Sequence, residues 1–188
     1  EPFVINPAKA QEDKLISLML NYGDMMIEMD APDEADANKK VNYTVAQVIV
    51  GDVLGYELTF QDPQCQTIFN EYAMLIQQGA THVDTQIFVN HEDAAVRELA
   101  ISLMMNDYHI SDKWFDEKHI YTPKPEERIT EDVAESLFTF ELKKLNQRIN
   151  NIDIQFPYAK DDEERLMLVA QKMQMQKAFR EIGAKLNR

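Results

Sequence analysis

The sequence predicts an all-α fold, with a helical bundle of about six helices in residues 1–129 followed by a long C-terminal helical hairpin in residues 130–188. Three observations support this prediction. Apolar residues recur at steps of three and four along most of the chain, which is the helical period. Five glycines and seven prolines in 188 residues are too few for a turn-rich all-β fold. The 45% hydrophobic composition is sufficient for a buried core.

The first helix is expected to begin at Asn6-Pro7, because asparagine caps helices and proline suits their first position. It should end between Gly23 and Met29, with an apolar face made of Leu15, Leu18, Met19, Tyr22 and Met26. Residues 30–40 are polar and contain a proline, so they predict an exposed loop. The stretch from Tyr43 to Leu58 is rich in valine and isoleucine. Its apolar spacing fits a helix better than the alternation of a strand, and we predict a helix there.

The next helix is predicted between Asp62-Pro63, a cap followed by proline, and Gly79. Its inner face would consist of Ile68, Phe69, Tyr72, Leu75 and Ile76. Residues 83–89 could form one helical turn or an extended piece. Asn90 is expected to cap a further helix with Glu92 and Asp93 in its first turn and Val96, Leu99, Ala100, Leu103 and Met104 on its buried side. Ser111 is predicted to cap a brief helix carrying Trp114 and Phe115.

The hairpin is predicted from two apolar stripes separated by Phe156-Pro157, since the residue before a proline disfavours helical dihedral angles. The first stripe is Phe138, Leu142, Leu145, Ile149, Ile152 and Phe156. The second is Leu168, Met175, Phe179, Ile182 and Leu186, with Lys172 filling the one gap. Met167, Met173 and Met175 fall on more than one face of the second arm, so a single antiparallel partner helix cannot cover all its apolar residues. We therefore expect a further surface, on the body or on another protein, to cover the remainder.

The net charge of −14 is unevenly distributed. Residues 1–130 contain 9 Lys and Arg against 23 Asp and Glu, whereas residues 131–188 contain 10 of each. The acidic body would repel a phosphate backbone, so direct binding of nucleic acid is not expected. Its acidity would suit a basic protein partner, or would serve only solubility. No apolar run is long enough for a membrane span, so the cytoplasm is the default compartment. Because the chain begins at Glu1, it is expected to be a piece of a longer protein.

No catalytic, metal or cofactor site is expected from the sequence. The histidines are His82, His91, His109 and His119, and only Asp116-x-x-His119 approaches the ligand spacing of a metal-binding helix, once where two copies are needed. Cys65 has no basic neighbour in sequence, so we interpret it as a small core residue. The pair Gly51 and Gly55 lacks the other residues of a phosphate loop, and we interpret it as a close approach of two helices.

Four stretches in this order resemble the C-terminal region of bacterial DNA primase, the part that binds the replicative helicase. They are Leu-Ile-Ser-Leu-Met-Leu-Asn-Tyr-Gly at 15–23, Asp62-Pro63 followed by Ile68-Phe-Asn-Glu-Tyr72, Phe88-Val-Asn-His91-Glu-Asp93, and Leu142-Lys-Lys-Leu-Asn-Gln-Arg148. The resemblance covers nearly the whole chain. It implies a helical bundle with a C-terminal hairpin that grips the helicase, and it places primer synthesis, with its zinc and magnesium, in upstream domains of the parent primase.

The resulting hypothesis is a non-catalytic domain that tethers RNA primer synthesis to the replication fork by binding the hexameric replicative helicase. The residues predicted to contact the helicase are Met175, Phe179, Arg180, Ile182, Lys185 and Leu186. The alternative is an acidic all-α regulatory protein that binds a basic protein partner through its body. A third hypothesis, a metal-dependent helical enzyme, would need ligands that this sequence hardly supplies.

Overall fold

A computed structural model describes residues 7–30, 40–105 and 125–186 of the chain. These residues form two compact units, Glu1–Ala134 and Glu135–Arg188, and the boundary falls inside one long helix. The loop predicted at 30–40 lies almost wholly outside the described residues, as do the brief helix predicted at Ser111, His109 and the Asp116-x-x-His119 pair.

The predicted mostly helical class is confirmed, with a long helical hairpin at the C-terminal end. The elements in chain order are α1 (Pro7–Tyr22), β1 (Met26–Asp30), β2 (Lys40–Thr44), α2 (Val45–Gly55), α3 (Pro63–Gln77), α4 (Gln86–Val89), α5 (Ala94–Met105), α6 (Pro125–Gln155), a short 3-10 turn (Phe156–Tyr158) and α7 (Asp162–Leu186).

The core of the first unit is made by α1, α2, α3 and α5 and by the single turn α4; α1 and α3 contact each other and both α2 and α5, and α4 contacts α5. Tyr72 of α3 lies at its centre, with its ring stacked on that of Phe88 at a centroid distance of 5.0 Å. The Tyr72 hydroxyl donates a hydrogen bond of 2.9 Å to the carbonyl oxygen of Met19. Burial and the nearby Asp24 charge raise the pKa of Tyr72, so the hydroxyl stays protonated and can donate this hydrogen bond.

The prediction that the first helix continues towards Met29 is wrong. Helix α1 ends at Tyr22, and β1 follows, paired antiparallel with β2 so that Ile27 lies opposite Tyr43. The exit from the helix is fixed by groups distant in sequence. Gly23 accepts a hydrogen bond from the amide of Ala46 at 3.0 Å, and Asp24 accepts one from the amide of Val83 at 3.2 Å. These contacts direct the chain away from the helix axis.

The helix predicted between Tyr43 and Leu58 is confirmed as α2, although its first residues belong to β2. Thr44 begins the helix with a capping box, in which its hydroxyl accepts from the amide of Gln47 and the Gln47 side chain accepts from the amide of Thr44. The interpretation of Gly51 and Gly55 as a close helix approach is wrong. A Cβ at either position would meet nothing within 4 Å, so both glycines face open space.

Helix α3 begins and ends where the sequence predicts. Asp62 accepts hydrogen bonds from the amides of Gln64 and Cys65, Pro63 occupies the first position, and Gly79 takes a φ of 91° just after the helix. Asn90, expected to cap the following helix, instead ends the single turn α4. Asp93 takes the capping role, accepting from the amide of Ala95 at 2.8 Å. Glu92 and Asp93 therefore precede α5 and do not lie within its first turn.

Candidate protein-docking site on the hairpin

The turn between the hairpin arms is set by proline at one side and by acidic caps at the other. Helix α6 ends at Gln155, and the 3-10 turn contains Pro157, as the sequence predicts. At the start of α7, Asp161 accepts from the amide of Glu164 at 2.8 Å, and the Glu164 carboxylate accepts from the amide of Lys160 at 2.6 Å. The Asp161 bond satisfies an amide that the helix itself leaves without a partner, and the Glu164 bond ties the residue before the cap to the first turn.

The two arms meet along a seam built from the predicted stripes. Both stripes step alternately by three and four residues, the 3.5-residue spacing of helices that pack side by side. Ile152 of α6 and Ile182 of α7 are buried, and Leu168 and Met175 are partly covered. Lys172, which fills the gap in the apolar stripe, forms an ion pair with Asp153 of the opposite arm.

Helix α6 also has a buried face that the sequence analysis missed. Its members, in steps of three and four, include Leu137, Phe140 and Lys144, and the ammonium group of Lys144 lies 5.0 Å from the ring centroid of Phe140. Glu141 beside them is buried as well. This face could not be recognised from the sequence because positions 141 and 144 hold a glutamate and a lysine, and such residues usually lie on the solvent-exposed side of a helix.

The second arm exposes large apolar side chains on the side away from the seam. Leu166 is 71% exposed, Val169 41% and Met173 66%. They stand at steps of three and four, so they form one line along α7, which we call the outer stripe. At 3.6 residues per turn, this line is rotated by about 130° from the seam residues of the same helix. One helix with two apolar lines has a second face available for another surface.

Further apolar side chains are exposed at the tip of the hairpin and on a third side of α7. Ile154, Phe156 and Tyr158 are exposed around the turn, and Met167 is exposed next to the outer stripe. None of these residues forms part of the seam that the two arms share, apart from Phe156 at its end. Among the described side chains of the second unit, all the exposed large apolar ones except Phe179 lie in residues 154–173.

The residues predicted to contact the helicase divide into several groups in the structure. Ile182 is only 7% exposed, so little of its side chain is available to a partner. Met175 is partly covered, Phe179 is 37% exposed, and Arg180 is exposed. The side chains of Lys185 and Leu186 lie outside the described residues, although both positions belong to α7. The outer stripe was missed because its spacing is the same as that of the seam.

Charge is segregated along α7. Four successive acids, Asp161 to Glu164, open the arm, and the first turn contains three of them. From Lys172 to the end of the chain the sequence has five Lys and Arg against the single acid Glu181. Acids at a helix N-terminus and bases near its C-terminus both interact favourably with the helix dipole. The outer stripe lies between these two regions of opposite charge.

The remaining polar clusters have structural explanations. His91 contacts the Glu71 carboxylate through Nε2 at 2.9 Å, while its Nδ1 accepts from the amide of Asp93 at 3.0 Å. The hydrogen bond with Glu71 raises the pKa of His91. Cys65 is fully buried, as predicted, and burial together with the charges of Asp62 and Asp13 raises the pKa of its thiol, so it is not a reactive thiolate.

A small cavity of about 240 Å³ lies at the end of α1, where a ring nitrogen of His82 contacts the Asp24 carboxylate and Tyr72 contributes to the lining. This volume falls below the roughly 300 Å³ at which ligand pockets begin. Within residues 7–30, 40–105 and 125–186, no group of three or more His, Cys, Asp and Glu side chains is arranged to hold a metal ion. Across the same ranges, no helix has both the length and the apolar character that crossing a bilayer requires.

Fold and site together define a mostly α-helical protein with a line of exposed apolar side chains along one arm of a helical hairpin and further exposed apolar side chains at its tip. The chain belongs to the family described as a domain of unknown function, DUF8430, whose model matches residues 3–188. Neither the curated proteins nor the solved structures contain a significant match to it. The family description names no activity, so the resemblance to the primase C-terminal region stays a prediction.

Proposed function

We propose that this domain is a non-catalytic docking module that binds a helical partner protein through the exposed side of its hairpin. The observation that carries the proposal is the outer stripe: Leu166, Val169 and Met173 remain exposed, whereas another side of the same helix holds the buried Ile182 and the partly covered Leu168 and Met175. Apolar side chains at steps of three and four on a helix are the usual anchors of helix-in-groove recognition. Large apolar side chains in such a line gain free energy when a partner covers them.

The resemblance to bacterial primase makes the hexameric replicative helicase the partner to test. Under this proposal the domain acts in the cytoplasm, contains no active site of its own, and holds the primer-synthesising domains of its parent close to the helicase. Tethering of this kind raises the local concentration of an active site without any new catalytic contact. The contacts would be the outer stripe with Met167, together with Phe179 and Arg180, which the sequence also predicts.

Isothermal titration calorimetry with the replicative helicase encoded in the same genome tests the proposal. The double substitution Leu166→Ser and Met173→Ser should weaken binding by about 2–4 kcal/mol, because two exposed anchors lose their apolar contacts. Both positions are exposed, so the fold should be retained, and circular dichroism checks this.

Met74→Ser is the matched control. Met74 is an exposed methionine on α3 of the first unit, and its substitution should leave the affinity unchanged. If the helicase gives no heat of binding, or if it binds the double variant as tightly as the parent, the proposal is wrong. Loss of binding in Met74→Ser alone would instead place the contact on the body.

A further inference from the structure

The outer stripe and the charges at its two ends are self-complementary when α7 meets a second α7 in antiparallel orientation. Asp162 lies at the acidic end and Lys177 at the basic end, and both side chains are largely exposed. Helical positions 162, 166, 169, 173 and 177 are spaced by three and four residues, so these two charges lie on the same side of the helix as the stripe. Opposite charges at opposite ends of one apolar line are the pattern that a two-fold interface requires.

We propose that a second copy of this chain covers the outer stripe, with the two α7 helices antiparallel about a two-fold axis. This inference rests on the proposed function because it uses the same face of the hairpin. It adds that self-association regulates the access of the partner protein to that face. The axis passes between Val169 and Ala170. Residues facing each other then have numbers that sum to 339, which places Leu166 opposite Met173 of the second copy and Asp162 opposite its Lys177.

Each of these contacts occurs twice, because the interface is isologous. Two leucine–methionine contacts lie at its centre and two ion pairs at its ends. Ala170, which is exposed and small, leaves room for the helices to approach at the axis. Within one helix, Asp162 pairs with Arg165 and Lys177 pairs with Glu181. These ion pairs lie at the surface and are weak, so Asp162 and Lys177 can pair with the second copy instead.

The dimer is expected to be weak. The contact from residue 162 to residue 177 is about 24 Å long at 1.5 Å per residue. Two single helices in contact over this length bury less than the roughly 1,200 Å² at which stable interfaces begin. A weak dimer would shield the apolar stripe at high local concentration and release it to a larger partner surface, so partner binding and self-association would compete.

Sedimentation velocity of the whole chain across a range of concentrations, extending to several hundred micromolar, tests the proposal. The parent protein should show reversible self-association. Asp162→Lys alone and Lys177→Asp alone should each weaken it at least fivefold, since each places like charges opposite each other. A one-to-one mixture of the two single variants should restore it, because both ion pairs then re-form between unlike copies.

The mixture separates this interface from a folding defect, since mixing cannot repair a misfolded chain. Met74→Ser is the control: Met74 is exposed on α3 of the first unit and lies outside the hairpin, so self-association should be unchanged. A parent that stays monomeric at every concentration, or a mixture that fails to restore association, overturns the proposal. Titration with the helicase distinguishes the failure of this proposal from that of the proposed function. If the parent stays monomeric but binds the helicase, only the dimer is refuted. If the parent dimerises but does not bind the helicase, only the docking function is refuted.

Discussion

Removing the carboxylate of Glu12 should destabilise the first unit strongly, since this side chain joins α1 to the start of α3. Glu12 is 2% exposed, and its two oxygens accept from the amide of Gln61 at 2.8 and 2.9 Å and from that of Asp62 at 2.9 Å. A hydrogen bond to a charged group contributes about 1.5–3 kcal/mol. Glu12→Ala removes the acceptor of two amides and leaves a cavity, so we expect a loss of about 3–5 kcal/mol.

Urea unfolding followed by circular dichroism measures this loss. Glu12→Gln keeps one acceptor oxygen and should lose about 1–3 kcal/mol, between the parent and the alanine variant. Glu98→Ala on the exposed side of α5 is the control and should stay within about 0.5 kcal/mol of the parent. If the two units unfold in separate transitions, only the one belonging to the first unit should move. An alanine variant with the urea midpoint of the parent would refute the role assigned to Glu12.

Two further predictions concern Gly23 and His91. Gly23→Ala would place a Cβ 2.3 Å from the Met19 carbonyl oxygen and should lower the melting temperature, with a loss of about 1–3 kcal/mol in the free energy of unfolding. Gly51→Ala, on open helix surface, should raise that free energy by about 0.5–1 kcal/mol. Equal shifts of the melting temperature in the two variants would contradict the argument. The folded pKa of His91 is raised by Glu71, so its contribution to stability should be complete below about pH 6.5, the ordinary value, and disappear as pH rises through the raised value. Urea midpoints measured from pH 5.5 to 8.5 should show this decline in the parent and a flatter profile in His91→Gln.

The parts of the fold that could be predicted from the sequence are those that neighbouring residues determine. Asp62, Pro63 and Gly79 mark the limits of α3 because capping and left-handed backbone are local chemistry, and Pro157 marks the hairpin turn for the same reason. The pair of β1 and β2 could not be predicted in this way. Its geometry depends on amides of residues 46 and 83 that bind the residues following α1, and local patterns contain no information about those contacts.

The candidate site shows the same division. The sequence contains two apolar lines on α7 with the same step, and nothing in the step tells which line faces α6. The burial of the side chains in the structure distinguishes the two lines: Ile182 is covered, whereas Leu166 and Met173 are not. The prediction that α7 carries more apolar surface than one partner helix can cover agrees with these exposures, and the assignment of partner contacts to particular residues of α7 stays a prediction.

The distribution of charge argues that self-association involves the hairpin and not the body. Residues 1–130 carry a net charge of −14, so two bodies that approach each other repel, whereas residues 131–188 are neutral in total and can meet without that cost. Salt distinguishes the two possibilities. A contact between acidic bodies would strengthen as salt screens their repulsion, whereas the antiparallel hairpin contact should weaken because salt screens its terminal ion pairs of Asp162 with Lys177. The sign of the salt dependence therefore identifies which surface associates before any residue is substituted.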